Sequence, residues 1–95
     1  MNQKPALVYK NGVLKITGDL TFETVADLSE QLPDILNNII ETVDFQEVAH
    51  ADSSAISFLL AIMRACKPQQ PAVINLNHSL SILAKLYGVD HILFQ

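Results

Sequence analysis

Apolar and polar residues alternate along two short segments near the amino terminus, residues 6–10 and 13–17, with Asn11-Gly12 between them. Alternation with a period of two is typical of β-strands that bury one face. Asn and Gly both tolerate the positive φ angles of a type I′ turn, which joins two strands through two residues. The pattern therefore predicts an antiparallel hairpin, and Gly18-Asp19-Leu20 is predicted to end its second strand.

A helical spacing of apolar residues follows the hairpin. Thr21 is a predicted N-cap, because a threonine hydroxyl accepts hydrogen bonds from the free N–H groups of a first helical turn. Pro33 is predicted to end or restart this helix, since proline lacks the N–H that continues the hydrogen-bond ladder. The residues predicted on its apolar side are Phe22, Val25, Ala26, Leu28 and Leu32.

The rest of the chain alternates between predicted strands and predicted helices. We expect strands at residues 41–45 and 72–76, a loop at 50–54 and helices at 53–67 and 79–87. The last helix has Leu80, Leu83, Ala84 and Tyr87 at core spacing. Gly88 suits a left-handed C-cap after that helix, and residues 89–94 are apolar enough to pack as a short turn.

The predicted order of elements is ββαβαβα. Strands separated by helices imply right-handed crossovers and parallel pairing, whereas the opening hairpin adds an antiparallel pair. We therefore expect an α/β fold, with a mixed four-stranded sheet and helices packed against it. The 95 residues fit one domain, since compact domains span about 50–250 residues.

The predicted helix at 53–67 has two contrasting sides when its residues are placed at about 100° each. A broad arc is apolar and is predicted to be buried: Ala55, Ile56, Leu59, Leu60, Ile62, Met63 and Cys66. The other side has small or interface-prone residues instead of the usual Glu and Lys: Ser53, Ser54, Ser57, Ala61 and Arg64, with Phe58 and Ala65 at its borders. Small side chains let another backbone approach closely, and Phe and Arg are enriched at interfaces. We interpret this side, together with Asp52 just before the helix, as a partner-binding face; the alternative is cover by loops of the same domain. The residues predicted to bind the partner are Asp52, Ser53, Ser54, Ser57, Phe58, Ala61 and Arg64.

Asp52 stands just before this helix and is predicted to be its N-cap, because its charge also complements the helix dipole. Ser53 and Ser54 then fall in the first turn, beside unpaired backbone N–H groups. These N–H groups would stabilise the negative charge of a phosphate group attached to a serine hydroxyl there.

Composition and motifs exclude several classes of function. The net charge is −4 and the six Lys and Arg residues are scattered, so nucleic acid and anionic lipid surfaces are not expected partners. The longest apolar run is too short to enter a bilayer, no signal peptide is evident, and a single Cys66 fits a reducing cytoplasm.

A catalytic, metal or cofactor site is also not expected. His50, Asp52 and Ser53 are the residue types of a hydrolytic triad, but they are nearly adjacent in sequence, and no oxyanion loop or G-x-S-x-G elbow accompanies them. The three histidines, His50, His78 and His91, lack a metal-ligand spacing. No glycine-rich phosphate loop is present either.

The chain resembles the STAS family, which includes bacterial anti-sigma-factor antagonists and the tails of sulfate transporters. The matching features are Thr42-Val43-Asp44-Phe45, then Asp52-Ser53-Ser54 before an apolar helix, and Gly88 near the carboxyl end. Residues 83–87 are similar to the last helix of the MlaB branch, the STAS subunits of Mla-type phospholipid transporters. Ala55 departs from the family, which often has Gly there, and the added methyl group affects how closely a partner approaches.

This resemblance implies a non-catalytic subunit that binds the ATPase of an ABC transporter (MlaF-like) in a membrane complex with a permease. It places the protein in the cytoplasm, peripheral to the inner membrane through that partner and without inserting into the bilayer. Ser53 matches the key hydroxyl of the family. The alternative is an anti-sigma-factor antagonist that is switched by phosphorylation of Ser53, and both functions stay open at this point.

Overall fold

The computed structural model describes residues 5–88, and within them the elements follow the predicted order ββαβαβα. The α/β fold with a mixed four-stranded sheet is confirmed. The strands are β1 (Ala6–Lys10), β2 (Val13–Leu20), β3 (Thr42–Ala51) and β4 (Ala72–Ile74), and the helices are α1 (Val25–Ile35), α2 (Ser53–Cys66) and α3 (His78–Leu86).

The sheet has the strand order β1-β2-β3-β4, so each strand lies beside its neighbour in sequence. β1 and β2 are antiparallel, whereas β2–β3 and β3–β4 are parallel. Right-handed crossovers that advance in one direction place their helices on one face of a sheet. α1 and α2 accordingly contact each other, and α2 also contacts α3. The core lies between this helical layer and one face of the sheet.

The amino-terminal hairpin is confirmed. Asn11 and Gly12 have φ angles of 51° and 82°, as a type I′ turn requires. β2 nevertheless continues beyond the predicted end, to Leu20. Gly18 has a φ of 83°, and the β2–β3 register shifts nearby. The chain thus absorbs an irregularity at a residue without a Cβ atom and resumes pairing at Leu20, whose side chain is fully buried.

The predicted start of α1 is wrong, because the helix begins at Val25. The Thr24 hydroxyl accepts a hydrogen bond from the Thr21 N–H at 2.9 Å and donates one to the Asp19 carbonyl at 2.8 Å. These bonds hold residues 21–24 in a turn before the helix. Phe22 lies in that turn and is 80% exposed, so its predicted place on the apolar side of the helix is also wrong.

The predicted break at Pro33 does not occur, because α1 continues through it to Ile35. Pro33 and Ser29, whose carbonyl loses its N–H partner, are both exposed. A carbonyl on the wet side of a helix can bind water instead. The buried side chains of α1 are Leu28 and Leu32, and Ala26, which was predicted to join them, is exposed.

β3 is longer than predicted and carries the chain directly to α2. It pairs with β2 as far as the Leu20–Ala51 pair, so Asp52 alone separates β3 from α2. The predicted loop at residues 50–54 is therefore wrong. Parallel strands end at the same edge of a sheet, and the start of α2 lies at that edge.

The elements after α2 differ from the prediction by a few residues. β4 ends at Ile74, before Asn75, which has a φ of 60°. α3 begins at His78, and the side chain of its N-cap, Asn77, accepts a hydrogen bond from the Leu80 N–H at 2.8 Å. Gly88 follows α3 with a φ of 69°, as a left-handed C-cap requires. The predicted turn at residues 89–94 lies outside the described residues.

Candidate functional site at the start of α2

Asp52 fixes where α2 begins. Its backbone is extended, with φ −126° and ψ −166°, and its carboxylate Oδ1 accepts a hydrogen bond from the Ser54 N–H at 2.8 Å. This is the predicted N-cap geometry. The Asp52 carbonyl also accepts the Ala55 N–H at 3.0 Å, so the helix starts with two of its first amides satisfied.

The same carboxylate connects α2 to the turn that precedes α1. Asp52 Oδ2 accepts a hydrogen bond from the Phe22 N–H at 3.0 Å. This bond is the largest influence on the pKa of Asp52 and lowers it; burial opposes it with the next largest effect, and smaller contributions from the Ser54 bonds help to hold the pKa below its ordinary value. Asp52 therefore positions the candidate site by joining two segments that lie thirty residues apart, and both of its oxygens are occupied by backbone donors.

The outward side of α2 has the small and polar character that its sequence predicts. Ser53, Ser57 and Arg64 are exposed, whereas Ser54 and Ala61 are half-buried. Arg64 forms no ion pair with any residue in the range 5–88. We call the surface formed by these five residues the outer face of α2. No loop among the described residues buries it, so the interpretation as a partner face is retained.

Phe58 does not belong to the outer face, and its assignment to partner binding is wrong. Its side chain is only 3% exposed and is part of the hydrophobic core. Both α1 and α3 contact α2. Because two helices flank α2, its buried side extends farther around the helix than the sequence predicts and includes Phe58. The rest of that side was predicted correctly: Ala55, Ile56, Leu59, Ile62 and Met63 are buried, and Leu60 and Cys66 are half-buried against them.

A shallow groove of about 340 Å³ runs along the first two turns of α2. Ile56 and Leu60 supply its apolar lining and Ser53, Ser54 and Ser57 supply hydroxyl groups, while Tyr87 reaches it from the end of α3. Tyr87 was predicted to lie in the core but is 54% exposed. The groove thus joins the outer face of α2 to a surface that the sequence did not indicate.

His50, Asp52 and Ser53 are the residue types of a hydrolytic triad, but His50 and Asp52 bind other groups. His50 Nδ1 lies 3.1 Å from Asp19 Oδ1 on the sheet, and the His50 side chain is 82% exposed. Asp52, the other carboxylate, is occupied by backbone N–H groups. A triad needs the histidine between the nucleophile and the carboxylate. Within residues 5–88 no group of three or more His, Cys, Asp or Glu side chains could hold a metal ion.

The helices in the same range have 11, 14 and 9 residues. None of α1, α2 and α3 combines the length and the apolar character needed to cross a lipid bilayer.

Comparison with known proteins identifies the family. Residues 6–94 match the family described as "Mlab, STAS domain". No curated protein sequence matches the chain. Among solved structures, the phosphorylated form of the Bacillus cell fate determinant SpoIIAA is similar, with a TM-score of 0.66, 15% identity, and coverage of 96% of this chain and 88% of that one.

The unphosphorylated form of SpoIIAA, described as an anti-sigma factor antagonist, is also similar, with a TM-score of 0.51 and 16% identity. That match covers 88% of this chain and 98% of the other. At such identities the two structures support the fold alone. STAS domains are generally non-catalytic modules that mediate protein–protein interactions. Because the family match extends over nearly all of the sequence, the chain belongs to the STAS domain family, in its MlaB-type branch.

Proposed function

We propose that this protein is a single-domain, non-catalytic STAS subunit that binds the ATPase of an ABC-type phospholipid transporter. In this proposal the complex also contains a permease, and the protein lies on the cytoplasmic side of the inner membrane, held there by its partner. The observation that carries the proposal is the outer face of α2, where Ser53, Ser57 and Arg64 are exposed and Arg64 forms no ion pair within residues 5–88, in a family whose members bind other proteins. The MlaB-type match favours a transporter ATPase as the partner.

In the proposed complex the partner backbone comes close to α2, and the surfaces between them lose their water. Ser53, Ser57 and Ala61 extend little from the helix, so a partner backbone can pack against α2 without large side chains intervening. Such a helix face needs few rotamers to be fixed on binding, which lowers the entropic cost of association. Arg64, at the far end of the face, can pair with a carboxylate of the partner.

The first experiment is co-purification of the Ser57→Glu variant with the candidate ATPase. A carboxylate at the centre of a docked face would be buried without a counter-charge, which costs several kcal/mol, and each ~1.4 kcal/mol is tenfold in affinity. We expect association to be lost while circular dichroism shows an unchanged fold. Ser53→Glu should have the same effect if the partner covers the start of α2, since that position is also exposed.

Ser29→Glu is the matched control, because Ser29 is an exposed serine within α1, away from the outer face. It adds the same charge and should leave co-purification intact. Undiminished co-purification of a folded Ser57→Glu protein would contradict the proposed contact. Failure of the wild-type protein to associate with the ATPase would reject the proposed partner.

A second candidate function is that of an anti-sigma-factor antagonist switched by phosphorylation of Ser53. The favouring observation is that Ser53 is exposed and is the first residue of α2, where free N–H groups stabilise added negative charge. SpoIIAA, which shares the fold and is described as an anti-sigma factor antagonist, occurs in phosphorylated and unphosphorylated forms. Mass spectrometry of the protein from growing cells would test it: a phosphate on Ser53 supports this function, and its absence under all growth conditions opposes it.

Catalysis is not part of either proposal, because residues 5–88 offer no nucleophile with an adjacent base and oxyanion donors. The purified protein should not hydrolyse esters or nucleotides. Turnover that disappears in a Ser53→Ala variant would overturn this expectation.

A further inference from the structure

The exposed aromatic side chains lie beside the start of α2. Phe45 and Phe58 are in the core, and the half-buried Tyr9 donates its hydroxyl to the Ile39 carbonyl at 2.6 Å. Phe22 and Tyr87, by contrast, are 80% and 54% exposed. Exposed aromatic groups next to a docking face are typical of interface anchors, because aromatic residues contribute a large share of binding energy there.

Both residues are placed at the site by specific contacts. The Phe22 N–H donates to Asp52 Oδ2 at 3.0 Å, so Phe22 is held next to the N-cap of α2. Tyr87 lines the groove together with Ser53 and Ser57. The two aromatic residues therefore come from different segments: Phe22 lies in the turn before α1, with its backbone bonded to the N-cap of α2, and Tyr87 lies at the end of α3, beside the groove.

The groove itself determines which side chain can enter it. Its apolar lining comes from Ile56 and Leu60, and no charged residue lines it among the described residues. A carboxylate or ammonium group would lose its water there without gaining a counter-charge. The groove volume of about 340 Å³ is at the small end of ligand pockets, which span about 300–1,000 Å³. The groove is also open along the surface, so it suits one apolar side chain of a docked protein.

Arg64 is the second feature, after the apolar groove, that a partner would contact. It lies seven residues after Ser57 on α2, which is nearly two helical turns and about 10 Å along the same side. Arg64 is exposed and has no ion-pair partner among residues 5–88. A partner that fills the groove therefore meets an unpaired cation about 10 Å away, and a carboxylate there would complete a charge-assisted pair.

We infer that the partner docks an amphipathic helix along α2, inserting one apolar side chain between α2 and Tyr87 and placing an Asp or Glu against Arg64, with Phe22 packed against the same helix. This inference rests on the proposed function and adds the chemistry by which the ATPase is recognised. It assigns binding roles to Phe22 and Tyr87.

The test is the affinity of the intact protein for the purified ATPase, measured by calorimetry for the Phe22→Ala and Tyr87→Ala variants. We expect each variant to bind at least tenfold more weakly. Val8→Ala is the matched control, because Val8 is 49% exposed but lies on the other face of the sheet, and its affinity should stay within twofold of wild type. Circular dichroism of each variant checks that the fold is intact.

A charge exchange tests the second contact. Arg64→Glu should weaken binding tenfold or more, and exchanging one acidic residue of the ATPase for Lys should restore it. Wild-type affinity of both aromatic variants, combined with loss of binding in Ser57→Glu, would overturn this inference and leave the proposed function standing. If the wild-type protein does not bind the ATPase, the proposed function fails and the recognition pattern fails with it.

Discussion

The outer face of α2 and the open face of the sheet are both exposed, yet they differ in how their polar groups are satisfied. On the sheet, Lys15 Nζ lies 2.9 Å from Glu47 Oε2, and His50 Nδ1 lies 3.1 Å from Asp19 Oδ1. These pairs join β2 to β3 within the protein's own surface. On α2, Arg64 has no such partner within residues 5–88.

The comparison shows that exposure alone does not indicate a binding surface. Charged cross-strand pairs keep a sheet face solvated and oppose pairing or docking by other chains. A face of small hydroxyl and methyl groups with one arginine, beside two exposed aromatic rings, has few charged groups that a partner would have to desolvate. We therefore propose that docking uses the helical layer, whereas the open sheet face stays solvated.

The largest expected effect is a loss of stability that distinguishes the inner side of α2 from its outer face. Leu59, on the inner side, is 1% exposed, and shortening a buried leucine to alanine costs about 2–5 kcal/mol of unfolding free energy. Leu59→Ala should therefore lower the melting temperature strongly in a thermal unfolding measurement. Ser57→Ala, on the outer face, should leave it nearly unchanged. Equal shifts in the two variants would contradict the division of α2 into an inner and an outer side.

A smaller effect is expected at the junction between the two regions. Removing an N-cap side chain costs about 0.5–2 kcal/mol, and Asp52→Ala also removes the acceptor of the Phe22 N–H. Its unfolding free energy, measured in urea, should therefore fall by about 1–2 kcal/mol. A loss confined to ATPase binding, with unchanged stability, would mean that Asp52 contacts the partner instead of holding the turn.

The same residue predicts a pH dependence. The native pKa of Asp52 lies below its ordinary value, which is about 3.9 in unfolded chains. Its stabilisation is therefore fully present above about pH 4 and is lost as the pH falls through the lower native pKa. The stability difference between wild type and Asp52→Asn should be largest near neutral pH and should shrink in acid. A difference that grows with falling pH would contradict this sign.

The smallest effect is expected on the open face of the sheet. The hydrogen bond that Lys15 donates to the Glu47 carboxylate raises the pKa of Lys15, but both side chains are exposed to water, where ion pairs contribute little to stability. Glu47→Gln should leave both the melting temperature and the ATPase affinity unchanged within error. A clear loss of affinity would move the docking surface from α2 to the sheet.

The sequence predicts what local chemistry determines. Asn11-Gly12 requires a tight turn, Asp52 is a strong N-cap, and the periodicity of residues 53–67 separates an inner from an outer side of α2. Each of these signals lies within a few residues of the feature it predicts. The order ββαβαβα follows from them and is confirmed.

Several of the errors occur where a residue's environment is set by contacts outside its own helix or strand. Phe22 was assigned to a helix, but its exposure depends on the Thr24 hydroxyl, which binds the Asp19 carbonyl, and on Asp52, thirty residues away. The length of β3 depends on β2 as its pairing partner. Phe58 is buried because two helices flank α2. Periodicity within one element cannot report any of these contacts.

The most direct test compares the two faces in one measurement. Single cysteines are placed at Ser57→Cys on α2 and at Glu47→Cys on the open sheet face, in a Cys66→Ala background that removes the native thiol. The rate of maleimide labelling is then measured with and without saturating ATPase. We expect the ATPase to protect the cysteine at position 57 and to leave the one at position 47 reactive. Protection at position 47 with free labelling at position 57 would contradict the assignment of docking to the outer face of α2.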